Sequence, residues 1–138
     1  MLELPARLPK RLALLGLSLF FVVAGINHFA NPDFYVAMMP TYLPAHLGLV
    51  YLSGGFEVVG GLAVLVPAVR ATSGWGLILL LVAVFPANLH MALNAELFPE
   101  MSAAALYIRL PFQVLFIVWA YWATRPDAVA SGPEAAAA

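Results

Sequence analysis

The sequence predicts an all-α fold, a four-helix transmembrane bundle running up-down-up-down with a short interfacial helix in its first loop. Three observations carry this expectation. Apolar residues make up 64% of the 138 residues and charged residues only 9%, against roughly 45–50% and about 25% in ordinary globular domains. A soluble core has no room for so much apolar surface, so the solvent around it must be lipid. Four runs, residues 12–30, 48–69, 72–93 and 103–124, approach or exceed the length of about 20 residues that a helix needs to cross a hydrocarbon core. The basic residues outside these runs are one-sided. Arg7, Lys10 and Arg11 precede the first, Arg70 lies between the second and third, and Arg125 follows the fourth, while the first and third loops contain no Lys or Arg. The positive-inside rule then places both termini in the cytoplasm and turns those two loops outward, as in a multi-pass protein of a bacterial inner membrane.

The elements follow in order. Residues 1–11 read as a cytoplasmic tail. The basic start, the apolar run and "VVAGI" also fit a signal peptide cut after Gly25, but the run continues to Phe29 at spanning length and favours a retained helix. In the first loop, "NPDFYVAMMP" offers Asn31 as a helix cap, Pro32 at the first position and Asp33 in the first turn. Pro40 ends that helix. Phe34 and Tyr35 on it, with Tyr42 beyond, form either an interfacial anchor or the lid of a pocket opening outward. A turn at residues 67–71 makes spans two and three a tight antiparallel pair. Pro86 removes a backbone donor from span three and predicts a kink, which Asn88 is placed to relieve. Residues 125–138, "RPDAVASGPEAAAA", lack apolar periodicity and read as a disordered cytoplasmic tail.

Composition also narrows the chemistry. A net charge of −1 gives no field for nucleic acid. The absence of Cys removes disulfides, thiolate metal sites and thiol catalysis by this chain alone. Haem ligation by His28 and His90 is disfavoured by their shallow positions. A zinc or copper site from His28, His46, His90 and Glu57 lacks a supporting ligand spacing.

Polar groups inside spans are functional candidates because hydrocarbon penalises them. At about 1.5 Å per residue from each outer end, His28 lies roughly 3 Å deep, His90 about 5, Asn88 about 8, Arg109 about 9, Glu57 about 14 and Gln113 about 15 Å. All belong to the outer half. Ser53, Glu57, Gly60 and Gly61 share a face of span two, Arg109 and Gln113 a face of span four, and Ala24, Gly25 and His28 a face of span one. Asn88 and His90 are about 200° apart, so only one of them faces the bundle. These positions predict a polar cluster of Glu57, Arg109, Asn88, His28, Gln113 and Ser53, with Glu57 and Arg109 as an ion pair. Such a cluster either forms an outward-facing ligand pocket or fixes helix register.

The segments "AGINHFANPDFY", "MMPTYLP", "SGGFEVVGGLAVLVPAVR", "WGLILLLVAVFPANLHMAL" and "RLPFQ", in that order and spacing, resemble the DoxX family of small bacterial membrane proteins. The resemblance implies a four-helix bundle, and by similarity it marks His28, Pro32, Glu57, Pro86, Asn88 and Arg109, though no catalytic residue transfers. It further implies association with redox processes, and so an oxidoreductase partner subunit. The first functional expectation is therefore a membrane component of a quinone-linked or other redox process. In it, Arg109 and Asn88 hold a carbonyl of a quinone or similar head, while Glu57 or His28 exchanges protons. The second is a non-catalytic subunit or assembly factor whose polar cluster specifies packing. A small-solute or proton path is the third, weakened by the apolar inner half.

Overall fold

The computed structural model describes residues 4–126. It is all-helical over them: α1 (Leu8–Ala30), α2 (Pro32–Met38), α3 (His46–Ala63), α4 (Arg70–Leu93), a 3-10 turn (Ala95–Leu97) and α5 (Ala103–Thr124). The four longer helices are each long and apolar enough to cross a membrane. The expected tail beyond residue 126 lies outside the described residues. Around the bundle, α1 packs on α3, α3 on α4, α4 on α5 and α5 back on α1, so α3 and α5 stand on a diagonal. The short helix α2 lies across one end of this ring, against α1, α3 and α4. That end is called the α2 end below, and the opposite one the terminal end.

Helices α3 and α4 each begin two residues before the expected spans, and two boundaries differ by more. Helix α1 begins at Leu8, four residues early, because Pro9 in its first turn loses no hydrogen bond that a helix start would make. The second span stops at Ala63 instead of residue 69. Pro67 lacks an N–H and disfavours helix at the residue before it. The carbonyls thereby freed are taken by the following helix: Arg70 donates from Nε to Val64 O at 2.9 Å and from Nη2 to Leu65 O at 3.2 Å. Arg70 thus caps α3 as well as opening α4. Asn31 also departs from expectation. Its side chain caps nothing at α2 but donates to Asn27 Oδ1 at 2.6 Å.

Packing differs between the two ends. At the terminal end, Leu14, Leu17, Phe21, Val64, Leu77, Ile78, Ala120 and Ala123 form a buried apolar core. Trp119 Nε1 donates to Ala13 O at 3.0 Å, tying α5 to α1. Toward the α2 end, α1 and α3 approach until their backbones touch. A methyl group on Gly25 would lie 2.6 Å from Gly54 O, and one on Gly54 would lie 2.6 Å from His28 Cβ. In lipid, where apolar burial drives no association, such close packing is a main source of helix affinity. Of the glycines singled out in the sequence, Gly61 faces α1 at Ser18 O and Phe21, whereas Gly60 turns to the Leu77 side chain of α4.

Candidate functional site

Between the apolar core and α2 lies a partly open cavity of about 390 Å³. The structure brings all six polar residues of the predicted cluster to its wall: His28 from α1, Ser53 and Glu57 from α3, Asn88 from α4, and Arg109 and Gln113 from α5. Each helix arrives there for a local reason. In α3, Val50, Gly54, Glu57 and Gly61 are the buried residues, spaced by three and four, so the Gly54 contact with α1 turns Glu57 inward. In α4, the phase question is settled by Asn88, which faces the cavity. His90 points elsewhere, toward Asn94 Nδ2 at 3.2 Å and the edge of Phe98. His46 also stays apart, donating from Nε2 to Pro40 O at 3.1 Å.

The contacts within the cluster are not those expected. Glu57 and Arg109 share one cavity but form no ion pair. Depth estimates give position along the membrane normal only, and these residues stand on the diagonal helices α3 and α5. The partner near Glu57 is His28 instead, its Nδ1 3.3 Å from Oε2. That nitrogen also lies 3.0 Å from Ala24 O. A carbonyl can only accept, so Nδ1 carries a proton and donates it there. Glu57 Oε2 is left buried without a hydrogen-bond partner among the described residues. Arg109 is similarly under-used: Nη1 rests 3.9 Å from Met101 Sδ, a weak acceptor, and the guanidinium has no other partner among the described residues.

Asn88 and Gln113 form the satisfied part of the wall. Asn88 Nδ2 donates to Gln113 Oε1 at 2.8 Å, and Gln113 Nε2 donates to Leu81 O. Asn88 thus bonds Gln113 and not the backbone freed by Pro86 as predicted, while Gln113 reaches Leu81 O, five residues before that proline. Pro111, inside α5 between Arg109 and Gln113, is a second intrahelical proline that leaves a carbonyl without its usual donor.

Of the three expected lid aromatics, only Tyr35 lines the cavity. Its ring stacks on His28 at 3.7 Å between centroids, and its hydroxyl accepts from Asn27 Nδ2 at 2.8 Å. Phe34 is exposed and meets Tyr35 edge-on, and Tyr42 is 73% exposed. Neighbouring residues on a helix diverge by about 100°, so Phe34 and Tyr35 cannot both face inward. Sequence reasoning passed over Asn27, whose signal was an amide directly beside His28. It also passed over the aromatic wall of Phe20, Phe112 and Phe116, which reads from sequence as ordinary lipid-facing surface.

Comparison with known proteins gives one family. The model for a domain of unknown function, DUF8561, matches residues 17–124, and the chain belongs to that family. This corrects the DoxX resemblance: the segments that suggested it fall within the DUF8561 match. Individually those segments are short runs of small, aromatic and polar residues of the kind that close-packed membrane helices share. No curated protein and no solved structure matches the chain.

Proposed function

We propose that this DUF8561 member is a membrane-embedded binding protein whose cavity takes the head of a small, neutral, carbonyl-bearing ligand of the quinone class. The observation that supports this most is the pairing of two under-used groups on one cavity. Among the described residues, a guanidinium whose one partner is a thioether faces the same space as a buried carboxyl oxygen without a hydrogen-bond partner. Arg109 and the remaining Asn88 N–H can donate to a carbonyl, and Glu57 can accept from a hydroxyl or exchange a proton with it. The acidic group of Glu57 and the guanidinium of Arg109 on one wall make a neutral head a better fit than an anion. The one-sided basic residues support a topology with both termini cytoplasmic and this cavity in the outer half of the membrane. A reporter fused after Ala138 should then be active in the cytoplasm, and activity outside would reverse the topology.

The test of binding uses the protein in nanodiscs and a tail-less dimethoxy-methyl-benzoquinone, followed by calorimetry. The wild type should bind it, and Arg109→Gln should weaken binding about tenfold, the 1.4 kcal/mol expected of one lost polar contact; Glu57→Gln should weaken the corresponding quinol, which carries hydroxyl donors, by a similar factor. Unliganded melting temperatures should stay unchanged. Absence of binding by the wild type would sink the proposal.

A second reading, a packing subunit or assembly factor, is favoured by one observation: Gln113 spends its amide on Leu81 O and Asn88, which locks α4 to α5. On that reading Gln113→Ala, which breaks both contacts to α4, lowers the melting temperature of the unliganded protein. A solute or proton path is less well supported, because the core beneath the cavity is largely aliphatic. The expected oxidoreductase partner came from the corrected resemblance and has no support from the cavity itself; copurification tests it.

A further inference from the structure

The cavity has two neighbours of opposite character along α1. On one side the seam with α3 is closed by backbone contact at Gly25 and Gly54. On the other, α1 and α5 touch at the level of Ala13, Gly16 and Phe20, against Phe116 and Trp119. Beyond that level the two helices engage different partners. The α2 end of α1 is held by α3 and α2, through Gly54, through Tyr51 stacked on Phe29, and through Tyr35. The corresponding part of α5 is held by α4, through Asn88 and Leu81. Phe20 and Phe112 line the cavity and are also exposed on the outer surface of the bundle, so the cavity reaches the surface along this seam. A shallow apolar groove on the lipid side of α1 continues from it, sharing Phe20 and Ala24 and including Val23 and Ile26. Across the α2 end, by contrast, Tyr35, Met38 and Met39 cover the cavity.

From this arrangement we infer that the ligand is a lipid-phase amphiphile with a single apolar chain, and that its chain lies in the α1–α5 seam while its head occupies the cavity. This rests on the head-binding reading above and adds the chain to it. The polar groups reach the interior of the cavity from all four long helices, whereas the groove that leads out of it along α1 is lined mainly by Leu19, Phe20, Val23 and Ile26. A head-and-chain molecule matches that division; a free polar solute would leave the seam facing lipid with nothing to fill it. Depth agrees as well. The head would sit beside Glu57, within the hydrocarbon layer, where a molecule dissolved in lipid arrives without crossing water.

The test closes the seam and compares two probes that differ only in the chain. The protein has no Cys, so Val23→Cys with Ile108→Cys gives a unique thiol pair. Val23 lies in the groove, and Ile108 is one turn beyond Phe112 on the same face of α5; both are exposed and neither lines the cavity. A short bis-maleimide joins them in nanodiscs. The probes are the tail-less benzoquinone and its decyl derivative. The unlinked double variant is the reference for both probes, so any effect of the two cysteines themselves is common to the linked and unlinked protein. Linking should weaken the decyl probe at least tenfold and leave the tail-less probe within twofold. Equal binding of the decyl probe with and without the linker would overturn the inference. So would an equal loss for both probes, which would assign the effect to the cavity. If the tail-less probe fails to bind the wild type, the head-binding reading falls and takes this one with it; a failure confined to the chain leaves that reading standing.

Discussion

The two seams of α1 are built on opposite plans. Against α3, glycines at Gly25, Gly54 and Gly61 remove side chains from the contact, so backbones meet and nothing can enter. Against α5, large rings do the packing: Phe116 stacks on Phe20 at 4.5 Å, and Trp119 reaches across to Ala13 O. Rings hold helices apart at the level where they act and leave the region above them to other partners. The difference teaches where a membrane bundle can keep a cavity without losing its fold. One seam supplies close-packed affinity, and the other supplies, among the described residues, a hydrogen-bonded prop and an opening.

The contrast can be broken most severely at the closed seam. Gly25→Ala should cost about 2–3 kcal/mol or prevent folding, because the methyl group meets the Gly54 carbonyl and the Val58 N–H, both backbone and unable to yield. Gly55→Ala, with open space around it, is the control and should be neutral within about 0.5 kcal/mol. Equal effects at the two glycines, measured as melting temperature in one detergent, would refute the closed-seam account. At the open seam, Trp119→Phe keeps a ring but deletes the bond to Ala13 O. It should cost about 1 kcal/mol, in the range of hydrogen bonds between membrane helices; a loss as large as that of Gly25→Ala would make the two seams alike. The smallest effect belongs outside both. Ala45, at φ 51 before α3, is the one non-glycine residue with positive φ among those described. Ala45→Gly relieves about 1 kcal/mol of left-handed strain against a comparable gain in unfolded-state entropy. It should therefore leave stability unchanged or raise it slightly, and any clear loss would place Ala45 in a contact that the structure does not show.

What could be read from the sequence was whatever depends on composition and on position along the membrane normal. The four spans, the helix after Asn31 and the gathering of Glu57, Arg109, Asn88, His28, Gln113 and Ser53 at one level are of that kind. What could not be read depends on lateral geometry. Glu57 and Arg109 share a depth but stand on diagonal helices, so shared depth did not become contact. Gly60 and Gly61 sit side by side in sequence yet serve different neighbours, and small residues alone do not say which partner each one meets. The early end of α3 was hidden because its capping groups belong to Arg70, a residue whose charge had already been explained by topology. His90 and Asn88 each had equal claim to the interior until the phase of α4 was fixed by its packing.

The bond from Trp119 to Ala13 joins the first of the four spans to the last. During synthesis, therefore, α1 enters the membrane long before the residue that braces it exists. Its glycine face can engage α3 early, but its α5 flank must wait until the whole bundle has been made. Closure of that flank therefore cannot precede the synthesis of α5, and a chain stalled before α5 would carry an open aromatic edge.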